Sequence, residues 1–506
     1  MVSEARRAAG VFYTPDAAAR FVVAETLAPL VAGRSAEDLA RLRILDPACG
    51  EGVFLRAALD ELCRAGGERH RARLARECLF GVDLDARAVE VARRALGGEA
   101  RIVRGNAVVG ADHASLGLGR ALERRLASRA PFDFETLQKG GFDAVLGNPP
   151  YVRPHRIDAA EKAYFKKTFA TFRKKSDLFV CFMERAARLL LPGGRLGLLT
   201  SRSWLTHDSF QALREFLLDE LACESLVECP DDLFPDANVR TVILVGKRRI
   251  ANENANASVN ENANASVKIG VLSASGVDWR GAVEPAAFRR SYKSAFDLSL
   301  ADARVAAARA HVAARARPLG ESFTVCFGLK TGDDAKWLHA RRLHARDRPL
   351  VTGEDVARFR VAGARLHVCY APAAMRAHRA TARPGDAARF ERDKLLVKDT
   401  ATRLAAAFDA ERRYAKDVLI VLPKEDAQHS LHYLCGVLNS RLMDFFYRGT
   451  FNAVHVQKHE LESLPVLIFD RPDFAARIES LALKLQRAPD ADAERALDEA
   501  VYALYE

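Results

Sequence analysis

The sequence predicts an α/β fold: a doubly wound domain, then a mixed α+β domain, then a helical tail. Three observations predict it. Over residues 1–275, apolar runs of strand length alternate with amphipathic helical stretches. The run "LRILDPACGEGVFLRAALDELCRA" passes from strand through a glycine-containing turn into helix, as an open sheet does where it meets a ligand. Beyond residue 319 the elements become short and mixed, and the chain closes on two stretches with helical apolar spacing.

In order, "CLFGVDLDARAVEVARRAL" repeats the strand–turn–helix unit, and "ARIVRGNAV" and "GFDAVLGNPPY" supply the next two strand ends. "DLFVCFMERAARLLLPGGRLGLLTSRSWL" reads as a helix, a Pro-Gly-Gly stop and a buried strand. "NVRTVILVGKRR" and "SVKIGVLSA" are two strands able to pair. Between them the octad "NENANASV" occurs twice, at 252–259 and 260–267; two polar copies cannot build a solenoid, so a flexible, dispensable loop is expected over 252–267. Residues 276–318 read as a connecting segment, 319–470 as the second domain and 471–506 as C-terminal helices.

With 49% hydrophobic and 28% charged residues, the composition is that of an ordinary globular chain. No run approaches the ~20 apolar residues of a membrane span, and no leader pattern opens the chain; no membrane partner and a cytoplasmic location are expected. The nine cysteines are scattered without CxxC pairs or metal-spaced histidines, so neither disulfides nor a metal is expected. A net charge of +11 suits a polyanionic partner. Much of that charge lies in one run: Arg153, Arg156, Lys162, Lys166, Lys167, Arg173, Lys174 and Lys175 face only Asp158 and Glu161. Such a run reads either as a solvated face or as phosphate contacts. Its place directly behind the motif described next favours phosphate, with Arg153, Arg156, Lys166, Lys167, Lys174 and Lys175 as candidates.

"FDAVLGNPPY" ends in Asn148, Pro149, Pro150 and Tyr151. An exocyclic aromatic amine is a poor nucleophile because its lone pair is delocalised into the ring. Two fixed acceptors, the Asn148 amide oxygen and the Pro149 carbonyl stiffened by consecutive prolines, can draw it toward tetrahedral geometry. Tyr151 offers a flat face to a base. The same residues also suit a merely rigid turn.

"DPACGEG" places Asp46 at a strand tip, followed by Ala48, Cys49, Gly50 and Gly52 where backbone can approach an adenosine cofactor. Asp83, with Leu84 beside it, is placed for ribose hydroxyls; Asp85 is an alternative partner or a helix N-cap. The turn lacks GxGxxG and the acid lies too far on, which disfavours a nicotinamide cofactor. Asn106, followed by Ala107, is placed to meet a cofactor amine. Tyr13, Thr14 and Pro15 read as a lid over the cofactor, or Thr14 as an N-cap with Pro15 at the first helical position.

In this order "GVFYTP", "DPACGEGVFL", "GVDLD", "RGNAV" and "GNPPY" resemble the γ class of S-adenosylmethionine-dependent DNA amino-methyltransferases, specifically the TaqI-like N6-adenine group. "PLVTGEDVARF", "LLVKDTATRLAAAFDAERRY", "VLPKED" and "LNSRL…LESLPV" are similar to that group's target recognition domain. The resemblance implies a Rossmann-like methyltransferase domain with a mixed α+β recognition domain, S-adenosyl-L-methionine as cofactor, and a flipped adenine in double-stranded DNA as substrate. It implies that Asn148 and Pro149 accept from the amine, Tyr151 stacks on the base and Phe234, in "DDLFPDANVRTVIL", flanks it. Many relatives carry Asp and an aromatic where this chain has Asn106 and Ala107, so one cofactor-stacking wall is missing. "GVFYTP" begins at Gly10 and no nuclease motif follows, so methylation without cleavage is expected, with any cognate restriction endonuclease a separate protein. The same motif also fits N4-cytosine, RNA or protein-glutamine methylation, or a non-catalytic DNA-binding subunit.

Overall fold

The computed structural model describes residues 14–231, 233, 239–250, 266–273, 275–401, 403–425, 430–451, 455–467 and 472–506. Tyr13, Phe234 and nearly all of the 252–267 repeat lie outside these. Contacts divide the chain into two units, 1–302 and 303–506.

The first unit is built on nine strands: β1 (Ile44–Asp46), β2 (Leu79–Asp83), β3 (Arg101–Arg104), β4 (Phe142–Gly147), β5 (Leu190–Ser201), β6 (Leu221–Glu228), β7 (Thr241–Arg248), β8 (Val267–Ser273) and β9 (Gly276–Val283). Their order is β3-β2-β1-β4-β5-β7-β6-β8-β9. The first five pair in parallel, and β7 runs antiparallel between β5 and β6. Parallel strands are covered on both faces, so their residues divide between two cores by alternation. Leu45, Phe80, Val82 and Val145 join one core; Ile44, Leu79, Ala144 and Leu146 join the other. Helices Asp16–Val31, Val53–Gly66 and Ala86–Ala95 lie over the second face, and Ala159–Thr168, Phe179–Leu189 and Gln211–Glu220 over the first.

Two expectations change. Residues 276–318 are not a connecting segment: β9 hydrogen-bonds to β8 as the ninth strand, and the units divide after Asp302. Pro192, Gly193 and Gly194 do not stop the chain before a strand; they sit inside β5 as an irregularity, Phe142 facing Leu190 and Ala144 then facing Arg195.

The second unit carries an antiparallel sheet with strands Phe323–Phe327, Val418–Pro423, Lys394–Lys398 and Ala406–Asp409 in that spatial order, beside a second four-stranded sheet. Asn439, on helix Leu431–Asn439, clips that helix to the sheet edge: its Oδ1 accepts from Ala406 N at 3.0 Å and its Nδ2 donates to Ala406 O at 2.7 Å. The terminal helices Pro472–Arg487 and Ala491–Tyr505 are integral to this unit: Ile478 and Leu497 lie so close to Gly436 that a Cβ there would meet Ile478 at 2.7 Å.

Candidate active site

Strand tips β1, β2 and β4 carry the acids and the amide expected from the sequence. Asp46 ends β1 fully buried; its Oδ1 accepts from Ala48 N at 3.0 Å, while Oδ2 is buried and has no hydrogen-bond partner among the described residues. Burial, reinforced by the nearby Asp83 and opposed by the Ala48 N–H, pushes the Asp46 carboxyl up to about 8. The cause is desolvation of the charged form. Gly147 ends β4 at φ +153°, and a Cβ there would lie 2.8 Å from Asp46 Oδ1. Only a glycine lets β4 close on that carboxylate.

At β2, Asp83 Oδ2 accepts from Gly50 N and Oδ1 from Asp85 N, both at 2.8 Å. The acid thus fastens the glycine turn. Burial raises its carboxyl, with those two N–H groups pulling the other way. Gly52 stands at φ +86°, and a Cβ would meet Ala92 at 3.1 Å, which ties the turn to the following helix. Ala48 is partly exposed, but the Cys49 thiol is buried against Gly81 beneath the sheet and burial raises it well above the thiol range. Cys49 reaches the turn only through its backbone: its N–H donates to Val82 O at 3.0 Å. Leu84 is 46% exposed, an apolar surface at the strand tip. Asp85 is an N-cap: its Oδ1 accepts from Arg87 N at 2.9 Å.

Asn106 Oδ1 gives one of its two lone pairs to the backbone. The residue is buried, and that contact from Val108 N measures 3.1 Å. Ala107 is buried beside it. Glu161, whose carboxyl burial raises, is a neighbour the sequence did not signal, because in "DAAEKAYFKK" it reads as one more surface acid.

Thr14 is not an N-cap. Pro15 occupies that position on helix Asp16–Val31 and Thr14 lies before it, almost wholly buried. Asn148 Nδ2 donates to Thr14 Oγ1 at 3.1 Å. Tyr151 Oη donates to Asn148 Oδ1 at 2.7 Å, with Leu199 O 3.4 Å away. Burial raises the phenol far above its usual range, so it stays a donor. The Tyr151 ring meets Phe179 edge-on, centroids 6.4 Å apart. Within the corner, Val152 N donates to Pro150 O at 3.2 Å, leaving the Pro149 carbonyl outside that bond.

The basic run is exposed at Arg153, Arg156, Lys166, Lys167, Arg173, Lys174 and Lys175. Lys167 and Arg173 bind the protein itself: Lys167 Nζ donates to Leu116 O at 2.6 Å, and Arg173 to the carbonyls of Ala170 and Phe172. Of the opposing acids, Asp158 pairs with Arg125 and Arg129. The turn carrying Lys174 and Lys175 is anchored by the buried Glu184, which accepts from Ala170 N, Thr171 N and Thr171 Oγ1.

Comparison with known proteins agrees with this construction. Residues 77–234 match the Eco57I restriction-modification methylase family, and residues 348–466 the TaqI-like C-terminal specificity domain. The Type II methyltransferase M.XhoI of Xanthomonas vasicola is 30% identical over 228 residues, 43% of this chain and 39% of that protein. The Type II methyltransferase M.TthHB8I of Thermus thermophilus is 30% identical over 246 residues, 47% of this chain and 45% of that protein. Each alignment thus spans less than half of the relative's length. Among solved structures, the Type IIL restriction-modification enzyme MmeI in complex with DNA superposes with TM-score 0.60 at 14% identity, covering 100% of this chain and 77% of that one. That likeness shows the fold.

Sheet order, glycine turn and strand-tip acids together define a Rossmann-like methyltransferase domain. With residues 348–466 matching the TaqI-like C-terminal specificity domain, the chain is similar to TaqI-like DNA methyltransferases that carry a C-terminal recognition domain. Among the described residues, no helix is long and apolar enough to cross a membrane.

Proposed function

We propose that this chain is a site-specific DNA adenine-N6 methyltransferase that uses S-adenosyl-L-methionine and acts in the cytoplasm as the modification component of a restriction-modification or phage-defence system. One observation carries the reading: a Cβ on Gly147 would lie 2.8 Å from Asp46 Oδ1, and Gly147 is also the residue before Asn148, so the strand-tip acid suited to a cationic cofactor and the corner suited to an amine adjoin.

Residues at the strand tips fit the cofactor. Asp46 Oδ2 is a buried acceptor lacking a partner among the described residues and suits a cationic ligand; Gly50 and Gly52 leave room for backbone approach; Asp83 keeps unused lone pairs for ribose hydroxyls; Leu84 offers an apolar face. When bound, S-adenosylmethionine supplies an activated methyl on a positively charged sulfur. The protein's part is to orient and desolvate. Asn148 Oδ1 and Pro149 O accept from the adenine N6 hydrogens and draw the lone pair out of the ring, and Tyr151 covers the base face. Extruding the base costs a few kcal/mol, met by contacts in both units. Lys166, Lys174, Lys175, Arg153 and Arg156 offer charge to phosphates, while the specificity domain reads base edges.

Three tests follow. Long-read mapping of DNA from expressing cells should show N6-methyladenine confined to one sequence motif; unmodified DNA, or N4-methylcytosine instead, would remove adenine as the substrate. Cofactor affinity should strengthen as pH rises from about 6 toward 8. Below about 8 the free Asp46 is mainly protonated, and a cation favours its ionised form, so binding at pH 7 should release a proton. Calorimetry in buffers of different ionisation enthalpy reads this directly, and a pH-flat affinity without proton release would exclude Asp46 as the cation's partner. Asp83→Ala should weaken cofactor binding more than it slows transfer at saturating cofactor; the reverse pattern would take Asp83 out of the cofactor site.

A further inference from the structure

The Asn148 amide can act on an amine with only one of its two ends. Its NH2 is a donor, and a donor turned toward the N6 hydrogens would repel them; the oxygen must face the base. The terminal torsion of Asn is broad and roughly two-fold, so the Pro-Pro backbone fixes where the side chain starts but not which end points where.

The two ends of this amide meet two hydroxyls from distant parts of the chain. Thr14 Oγ1 accepts from Nδ2 at 3.1 Å, and Tyr151 Oη donates to Oδ1 at 2.7 Å. A phenol is the stronger donor and takes the oxygen; the aliphatic hydroxyl is left for the NH2. Thr14 lies 134 positions from Asn148 in sequence and is 5% exposed, so the contact is shielded from competing water. Oδ1 has two lone pairs, and the one not used by Tyr151 remains for the amine.

We infer that Thr14 is a positioning residue for Asn148: with the Tyr151 phenol donating to Oδ1, its buried hydroxyl accepts from Nδ2 and holds the amide in the orientation that leaves Oδ1 facing the target amine. The inference rests on the function proposed above and departs from a lid role for Thr14 over the cofactor.

Thr14→Val keeps shape and removes the hydroxyl; Thr14→Ser restores it. In single-turnover methyl transfer to duplex DNA with saturating cofactor, the Val variant should be roughly five- to tenfold slower, the loss of one hydrogen bond's orienting effect, and the Ser variant should return to near the wild-type rate. Cofactor affinity by calorimetry should stay within about twofold for both, which also reports that the variants fold. If Thr14→Val weakens cofactor binding and leaves the saturated rate intact, Thr14 is a cofactor contact and the inference fails. Equal rates for Val and wild type also defeat it while leaving the proposed function standing. If the wild-type chain itself transfers no methyl to DNA, the functional reading falls and this inference with it.

Discussion

Asn148→Ala should lower single-turnover methyl transfer to duplex DNA by about 10²- to 10³-fold or more while leaving cofactor affinity unchanged. The magnitude is that of removing one preorganised polar group aimed at a reacting centre. Pro149 O remains in the variant, but a single acceptor cannot hold both amine hydrogens out of the ring plane. Cofactor binding survives because Asp46 is held by Ala48 N and Asp83 by Gly50 N and Asp85 N, none of which involves Asn148. Asn148→Asp should lose less than the Ala variant. It keeps an acceptor toward the amine and toward Tyr151, and the Thr14 hydroxyl can reverse to donate. An Ala variant at the wild-type rate would dismiss the corner as the activating group.

Asp409→Ala should destabilise the second unit by about 3–5 kcal/mol, the cost of stranding buried positive charge. Asp409 and Lys394 are both fully buried, with Lys394 Nζ 2.7 Å from Asp409 Oδ2 across paired strands. Arg413, almost as buried, adds its guanidinium at 2.8 Å from Oδ1 and its backbone N–H at 3.0 Å from Oδ2. Desolvation lowers the Lys394 ammonium from its usual range, and Asp409 opposes that most strongly. Without it, Lys394 retains Phe390 O at 2.7 Å, a neutral acceptor that cannot balance a buried cation. Denaturant unfolding should show the loss, and duplex affinity should fall with it. Cofactor affinity should not change, since its candidate residues belong to the first unit. A transition at wild-type denaturant concentration would mean the cluster is dispensable.

Local signals carried most of what the sequence showed. The apolar runs of β1, β2 and β4 are strands because both faces are covered, and the acids at the tips of β1 and β2 stand where a strand–turn–helix unit must put them. β9 escaped notice because "GVDWRGAV" is largely exposed and lacks two-residue alternation; only its partner β8 makes it a strand. Pro192-Gly193-Gly194 carried a true stop signal that pairing overrode. In the site, NPPY and DPACGEG are contiguous and readable. What joins them is not: the Thr14–Asn148 bond spans 134 positions, the Asn106–Glu161 contact depends on how a helix lies against a loop, and the Tyr151 donation depends on a rotamer.

The most direct measurement is a structure of the protein bound to a duplex and a non-reactive cofactor analogue. Asn148 Oδ1 and Pro149 O should both lie about 3 Å from the N6 of an extruded adenine, with the Tyr151 ring against its face. An adenine left stacked in the duplex, or a base whose amino group meets neither oxygen, would contradict the account.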